Sequence, residues 1–187
     1  MNEPHFFESA AAWNRWLSKN HRQPASIWIQ FAKKNSGIRS MSYADALEVA
    51  ICWGWIDGQV KRLDETCYLQ RWSSRRPRSR WSKINRDKAS RLIESGKMKP
   101  AGLAQVAAAK ADGRWDAAYD SPSTIREPDD FLASLLASPA ALVAYEKAPR
   151  SRRYSLISSI LDAKRPETRA RRIAAAIASL SKTDSNQ

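Results

Sequence analysis

The stretch Cys52-Trp-Gly-Trp-Ile-Asp-Gly58 is the point at which a helix has to turn into a strand. Upstream of it, Ser42 is a natural N-cap with Asp45 three residues on, close to a capping box, and Met41 and Ala46 stand at the staple positions. Ala46, Leu47, Ala50 and Ile51 form an apolar stripe, so a helix is predicted from Ser42 to Trp53, and Gly54 suits the left-handed residue that ends it. Downstream, Trp55–Arg62 and Tyr68–Trp72 read as two strands joined around Leu63–Thr66, where Asp64-Glu65 is turn-prone. Ser26–Lys33 alternates Ile27, Ile29 and Phe31 with polar or aromatic residues, a third strand signal. The predicted class is α+β: a small, mostly antiparallel sheet packed with helices, followed by an all-helical C-terminal portion.

Outward from that centre, Phe6–Asn20 reads as a first helix with Phe7, Ala11 and Trp16-Leu17 on its buried side, closed before Pro24. Ser73–Trp81 is expected to be extended, because Pro77 forbids regular helix there. Asn85 then caps a helix ending at Gly96, with Ile84 and Ala89 as a staple and Leu92-Ile93 facing inward. An Ala-rich helix follows over Pro100–Ala111. Residues 120–128 carry two prolines and no apolar periodicity, which predicts a linker between an α+β domain over 1–119 and a helical domain or extension over 129–187. Helices are expected there from Asp129 or Asp130, from Pro139, from Ser151 and from Pro166, the last with Ile173, Ile177 and Leu180 at i, i+4, i+7.

The net charge of +13 is unevenly spread along the 187 residues. Residues 71–99 hold eleven Lys/Arg against two acids, +9, and residues 147–172 hold nine against two, +7. Two localised cationic surfaces favour polyanions such as nucleic acid, anionic lipid or phosphorylated ligands, or else serve only as soluble faces. Eight Trp within a 43% hydrophobic chain argue for a folded core. Cys52 and Cys67 have neither metal spacing nor a disulfide framework. No apolar run approaches the roughly 20 residues of a membrane helix, and the first residues lack a secretory pattern, so the cytoplasm is the expected location. His5 and His21 stand apart from any nucleophile–acid arrangement, and no phosphate-cradling glycine motif, metal set or cofactor fingerprint is present.

Asp57 is the most pointed single residue. It is either a general acid/base or ligand-binding acid, or a hairpin aspartate satisfied by backbone N–H groups or by Arg71 or Arg75. The Arg71–Asn85 arm combines arginine forks, serine hydroxyls and two indoles, which matches phosphate contacts with base stacking. It also matches a basic loop anchored by Trp81, with Ser82 or Asn85 capping the next helix, and the interleaving of Trp with Arg favours anion binding. The Lys164–Arg172 cluster, with Glu167 among its arginines, reads as a solvated helix face.

Tyr43-Ala-Asp-Ala-Leu-Glu-Val-Ala-Ile-Cys-Trp-Gly-Trp-Ile-Asp-Gly58 resembles a sequence block of the YdeI/OmpD-associated family of bacterial proteins. The resemblance continues through Tyr68–Trp72, the arm to Asn85, Gly96-Lys-Met98, Ala109–Trp115 and Ala163–Ile173, and so covers roughly Trp13 to Leu180. It implies no established reaction or cofactor. It does connect the chain by name to an outer-membrane porin and to protection against bacteriocins and cationic antimicrobial peptides. Residues and resemblance together predict a non-enzymatic cytoplasmic protein that binds an anionic ligand or nucleic acid through Arg71, Trp72, Arg75, Arg76, Ser79, Trp81, Ser82 and Asn85. The alternatives are an enzyme on a small anionic substrate, with Asp57 as acid or base, and an envelope-stress interaction protein.

Overall fold

Alternation in Ile27–Ala32 puts Ile27, Ile29 and Phe31 on one buried face, and these residues lie at the heart of the sheet. The computed structural model describes residues 3–23 and 26–182 and divides into two compact units, one ending at Tyr119 and one starting at Asp120. Pro24 lies outside the described residues. The first unit contains β1 (His5–Phe6), α1 (Ala10–Asn20), β2 (Ile27–Ala32), α2 (Tyr43–Cys52), β3 (Trp55–Arg62), β4 (Cys67–Ser74), α3 (Lys83–Glu94) and α4 (Pro100–Ala111). The strand order is β1-β2-β4-β3. Both pairings of β4 are antiparallel, whereas β1 joins β2 in parallel, so the sheet is mixed within an α+β fold.

The first helix begins later than its sequence pattern indicates. His5 and Phe6 pair with Ile29 and Gln30, and Ser9 then caps α1 by accepting from the Ala12 N–H. Trp13 and Leu17, at i and i+4, are its buried pair, and Ala11 is exposed. The cap three residues inside the expected start, together with the sheet edge, outweighs the helical propensity of Phe6–Phe7.

The helix-to-strand passage follows its local signals. Ser42 Oγ accepts from the Asp45 N–H at 3.1 Å, Met41 and Ala46 are buried, and Gly54 takes φ +73° after the cap residue Trp53. Trp55 thereby enters the core and donates its indole N–H to the His21 carbonyl at 2.9 Å. Trp13, Trp55, Trp72 and Phe31 make one aromatic cluster, with tilted and edge contacts of 6.0–6.3 Å between ring centres. On the other side of α2, Gly102 of α4 packs against the Cys52 and Ile51 carbonyls, where any Cβ would collide. The β3–β4 turn is closed by Asp64, whose Oδ1 accepts from the Thr66 and Cys67 N–H groups at 2.7 Å each.

Two further expectations change at α3. Its N-cap is Ser82, not Asn85: Ser82 Oγ accepts from the Asn85 N–H at 3.2 Å, and Asn85 is buried one turn inside. Ile84 and Ile93 are exposed, leaving Ala89 and Leu92 as the inward face.

The second unit is helical: α5 (Asp129–Leu136), α6 (Pro139–Lys147), α7 (Arg150–Leu161) and α8 (Pro166–Ser181) enclose Phe131, Leu135, Tyr145, Ile157, Ile160, Ile173 and Leu180. Residues ahead of α5 form a hydrogen-bonded turn in which Ser121 is buried and the Ile125 N–H donates to its carbonyl at 2.9 Å. Among the described residues no helix is long and apolar enough to cross a membrane.

Candidate functional site

The two faces of the sheet differ in kind. On the core face, Ile27 pairs with Trp72, Ile29 with Gln70 and Phe31 with Tyr68, and Asp57 stands opposite Trp72. On the outer face, Trp28 pairs with Arg71, Gln30 with Leu69 and Ile56 with Ser73, and none of these six is buried. The Lys61 ammonium lies 4.8 Å from the centre of the Trp28 ring. Arg71 donates its Nε–H to Ser26 Oγ at 2.9 Å.

Where β4 ends, the arm folds back over this outer face and encloses a cleft of about 440 Å³. Ile56, Gly58, Gln59, Arg71, Ser73, Ser74, Arg76, Pro77, Arg78 and Ser79 line it: three arginines, three serines and no acid. Its lip is a tight turn in which the Ser79 N–H donates to the Arg76 carbonyl at 3.0 Å. Pro77 takes the second position and Arg78, with φ +66°, the third, the pattern of a type II turn. Glycine normally occupies that third position, and a side chain there costs about 1 kcal/mol. An exposed arginine is therefore held in a backbone state that the turn alone would give to glycine.

The residues assigned from sequence divide between surface and interior. Arg71, Arg76 and Ser79 line the cleft. Trp72 and Trp81 are 0% and 1% exposed, so their rings stand in the core and offer no stacking face. Arg75 is 4% exposed, with its guanidinium 3.6 Å from the centre of the Trp81 ring. Burial pushes its pKa down to about 10, with Tyr119 and Asp57 acting the other way. Ser82 and Asn85 serve the start of α3.

Asp57 lies on the core face, half-buried, and accepts the Tyr43 hydroxyl at 2.9 Å instead of an arginine. Burial, then the Asp57 charge, drives the Tyr43 hydroxyl pKa above its ordinary value. Asp57 does not line the arm cleft. Among the described residues no group of three His, Cys, Asp or Glu is placed to hold a metal ion.

Sequence reasoning passed over two cleft-side features. Trp28 was legible, since alternation that buries Ile27 and Ile29 turns it outward. Pro77 marks a turn, but type I and type II both accept it there, so the positive φ of Arg78 shows only in the structure. In the second unit, α5 and α8 flank an apolar groove of about 850 Å³, at which Arg169 grips Asp130 through Nε at 2.6 Å and Nη2 at 2.8 Å.

These features define a basic α+β unit with an arginine–serine cleft, followed by a separate helical unit. Residues 5–105 match the family described as Domain of unknown function (DUF8412), more than half of the chain, and the chain belongs to that family. Residues 124–183 match the family described as Bacteriocin-protection, YdeI or OmpD-Associated, which bears out the resemblance read from the sequence and places this match on the helical unit. The Tyr43–Gly58 block that first carried the resemblance falls within the other match. No curated protein and no solved structure matches the chain.

Proposed function

We propose that this is a cytoplasmic, non-enzymatic binding protein whose arm cleft takes a phosphate-bearing polyanion, single-stranded nucleic acid foremost. The observation that carries this reading is the acid-free lining of Arg71, Arg76, Arg78, Ser73, Ser74 and Ser79. Guanidinium forks and hydroxyls are the donors that hold phosphate oxygens, and without a carboxylate nearby they have no internal counter-charge to displace. The strained Arg78 supports it, since backbone strain collects where a side chain has work to do. Trp28, beside Arg71 on the same face, supplies a ring on which an unpaired base stacks. A duplex would hide that base face, so single strands are favoured.

A salt titration with fluorescent single-stranded and duplex oligonucleotides tests the reading. Binding at low salt should weaken on a straight line in log–log coordinates, with the single strand tighter. Absence of binding at low salt removes it. A second reading, an interaction protein of antimicrobial-peptide resistance, draws on the description matched at residues 124–183. The +13 charge opposes direct capture of cationic peptides. Export of a tagged chain to the periplasm would favour this second reading over the first.

A further inference from the structure

Arg75 does not serve the cleft, although Ser74 and Arg76 on either side of it do. Its guanidinium lies over the Trp81 ring, 3.6 Å from the ring centre, in a residue only 4% exposed. Nη1 donates to the Arg80 carbonyl at 3.1 Å, while Nε and Nη2 are buried and find no acceptor on the protein. Its charged neighbours compensate it only in part: Asp57 favours the charged form but its Oδ2 accepts from Tyr43, and Arg114 carries the same sign and is itself gripped by Asp112 at 2.8 Å.

Buried polar groups are almost always paired, and an arginine cannot shed its proton at neutral pH to escape the cost. Stacking on Trp81 uses the face of the guanidinium plane and leaves its in-plane edge free. The two unmet groups are not arbitrary. Nε–H and the adjacent Nη2–H point in parallel from one edge, the fork that fits two oxygens of one carboxylate or phosphate. The indole N–H groups of Trp72 and Trp81 are also buried and without an acceptor, so among the described residues the unmet buried side-chain groups are all donors.

We propose that the Nε–Nη2 edge of Arg75 seats a single oxyanion, a carboxylate or phosphate group, at an internal site separate from the arm cleft. This site stands independently of nucleic-acid binding, because none of the cleft's arginines takes part in it.

Thermal unfolding of the full chain at pH 7, with potassium phosphate or potassium acetate titrated against potassium chloride at matched ionic strength, tests it. The expected result is a saturable rise in Tm with at least one of the two anions. A rise with phosphate alone assigns a phosphate site, and a comparable rise with acetate assigns a carboxylate site. Arg75→Lys keeps the charge but lacks the fork, and should raise the anion's Kd at least about tenfold. In the double variant Arg76→Ala/Arg78→Ala, which removes the cleft's own phosphate contacts, a saturable rise should remain. No rise beyond chloride with either anion overturns the proposal, as does an equal rise in Arg75→Lys or a rise abolished by the cleft double variant. Should Arg75→Lys fail to fold, the Arg75 Nε–H resonance of the wild-type chain decides: a saturable shift with the anion supports the site, and an unmoved resonance refutes it.

Discussion

The two basic segments, +9 over residues 71–99 and +7 over residues 147–172, carry comparable charge and use it in opposite ways. In the helical unit Arg169 and Arg172 are occupied. Arg169 forks onto Asp130 and reaches the Ile160 carbonyl, and Arg172 donates to the Ser159 carbonyl, so the cations tie α8 to α5 and to the end of α7. In the arm, Arg71, Arg76 and Arg78 surround a cleft without an acid, and Arg75 is buried with two of its three guanidinium nitrogens unmet. Charge density alone does not mark a site. What separates Arg169 and Arg172 from Arg76 and Arg78 is that the chain supplies the first pair with carboxylate or carbonyl acceptors of its own.

The comparison breaks most visibly if the cleft arginines are removed. Arg76→Ala/Arg78→Ala should weaken single-stranded oligonucleotide binding at low salt by roughly tenfold or more and reduce the salt slope by about 1.4, as two lost single-strand phosphate contacts require. Fluorescence anisotropy at several salt concentrations measures both. Next in size is Trp28→Ala, which removes one stacking ring and should cost about 1–3 kcal/mol of the same binding while leaving polyphosphate binding nearly unchanged. Arg78→Gly should separate function from stability: relief of the positive-φ strain adds about 1 kcal/mol to unfolding stability, read from the urea midpoint, while oligonucleotide binding weakens.

In the helical unit, Arg169→Ala should cost about 1 kcal/mol of stability, a modest figure because both partners are partly exposed, with no effect on oligonucleotide binding. The smallest effect is its pH dependence. The Arg169 hydrogen bonds hold the Asp130 carboxyl below its ordinary pKa. Its contribution is therefore present at neutral pH and fades as the pH falls through that lowered value, below about 4. The stability gap between wild type and Arg169→Ala should narrow in that acid range, as urea unfolding at successive pH values would register.

Much of the frame was legible because its signals are local. Ser42 with Asp45, Gly54 after Trp53, and alternation in Ile27–Phe31 each specify their own element within a few residues, as does Pro166 at the start of α8. What was not legible depends on distant partners. β1 is two residues long and exists only because β2 offers an edge, so no periodicity announces it. Ser82 and Asn85 are both good capping residues three apart, and only the fold shows that one caps while the other gives up its N–H to that cap. At the candidate site, the arm was recognisable from composition, but its division into inner and outer residues was not. Trp81 is buried by the packing of Trp115 and Arg75 around it, and nothing in Ser73–Trp81 alternates to foretell this. A buried arginine without an acid runs against the usual rule for charges, which is why Arg75 looked like its exposed neighbours in the sequence.

The central claim is that the arm's charge is a binding site and the helical unit's charge is not. Two triple variants test it most directly, each removing three cations: Arg71→Gln/Arg76→Gln/Arg78→Gln in the cleft, and Lys164→Gln/Arg165→Gln/Arg171→Gln in the helical unit. Both lower the net charge from +13 to +10. Salt titrations of single-stranded oligonucleotide binding should show a large loss of affinity and a shallower slope for the cleft variant alone, with the helical variant close to wild type. Equal losses in the two variants would mean that net charge, and not the cleft, attracts the polyanion, and would contradict the account.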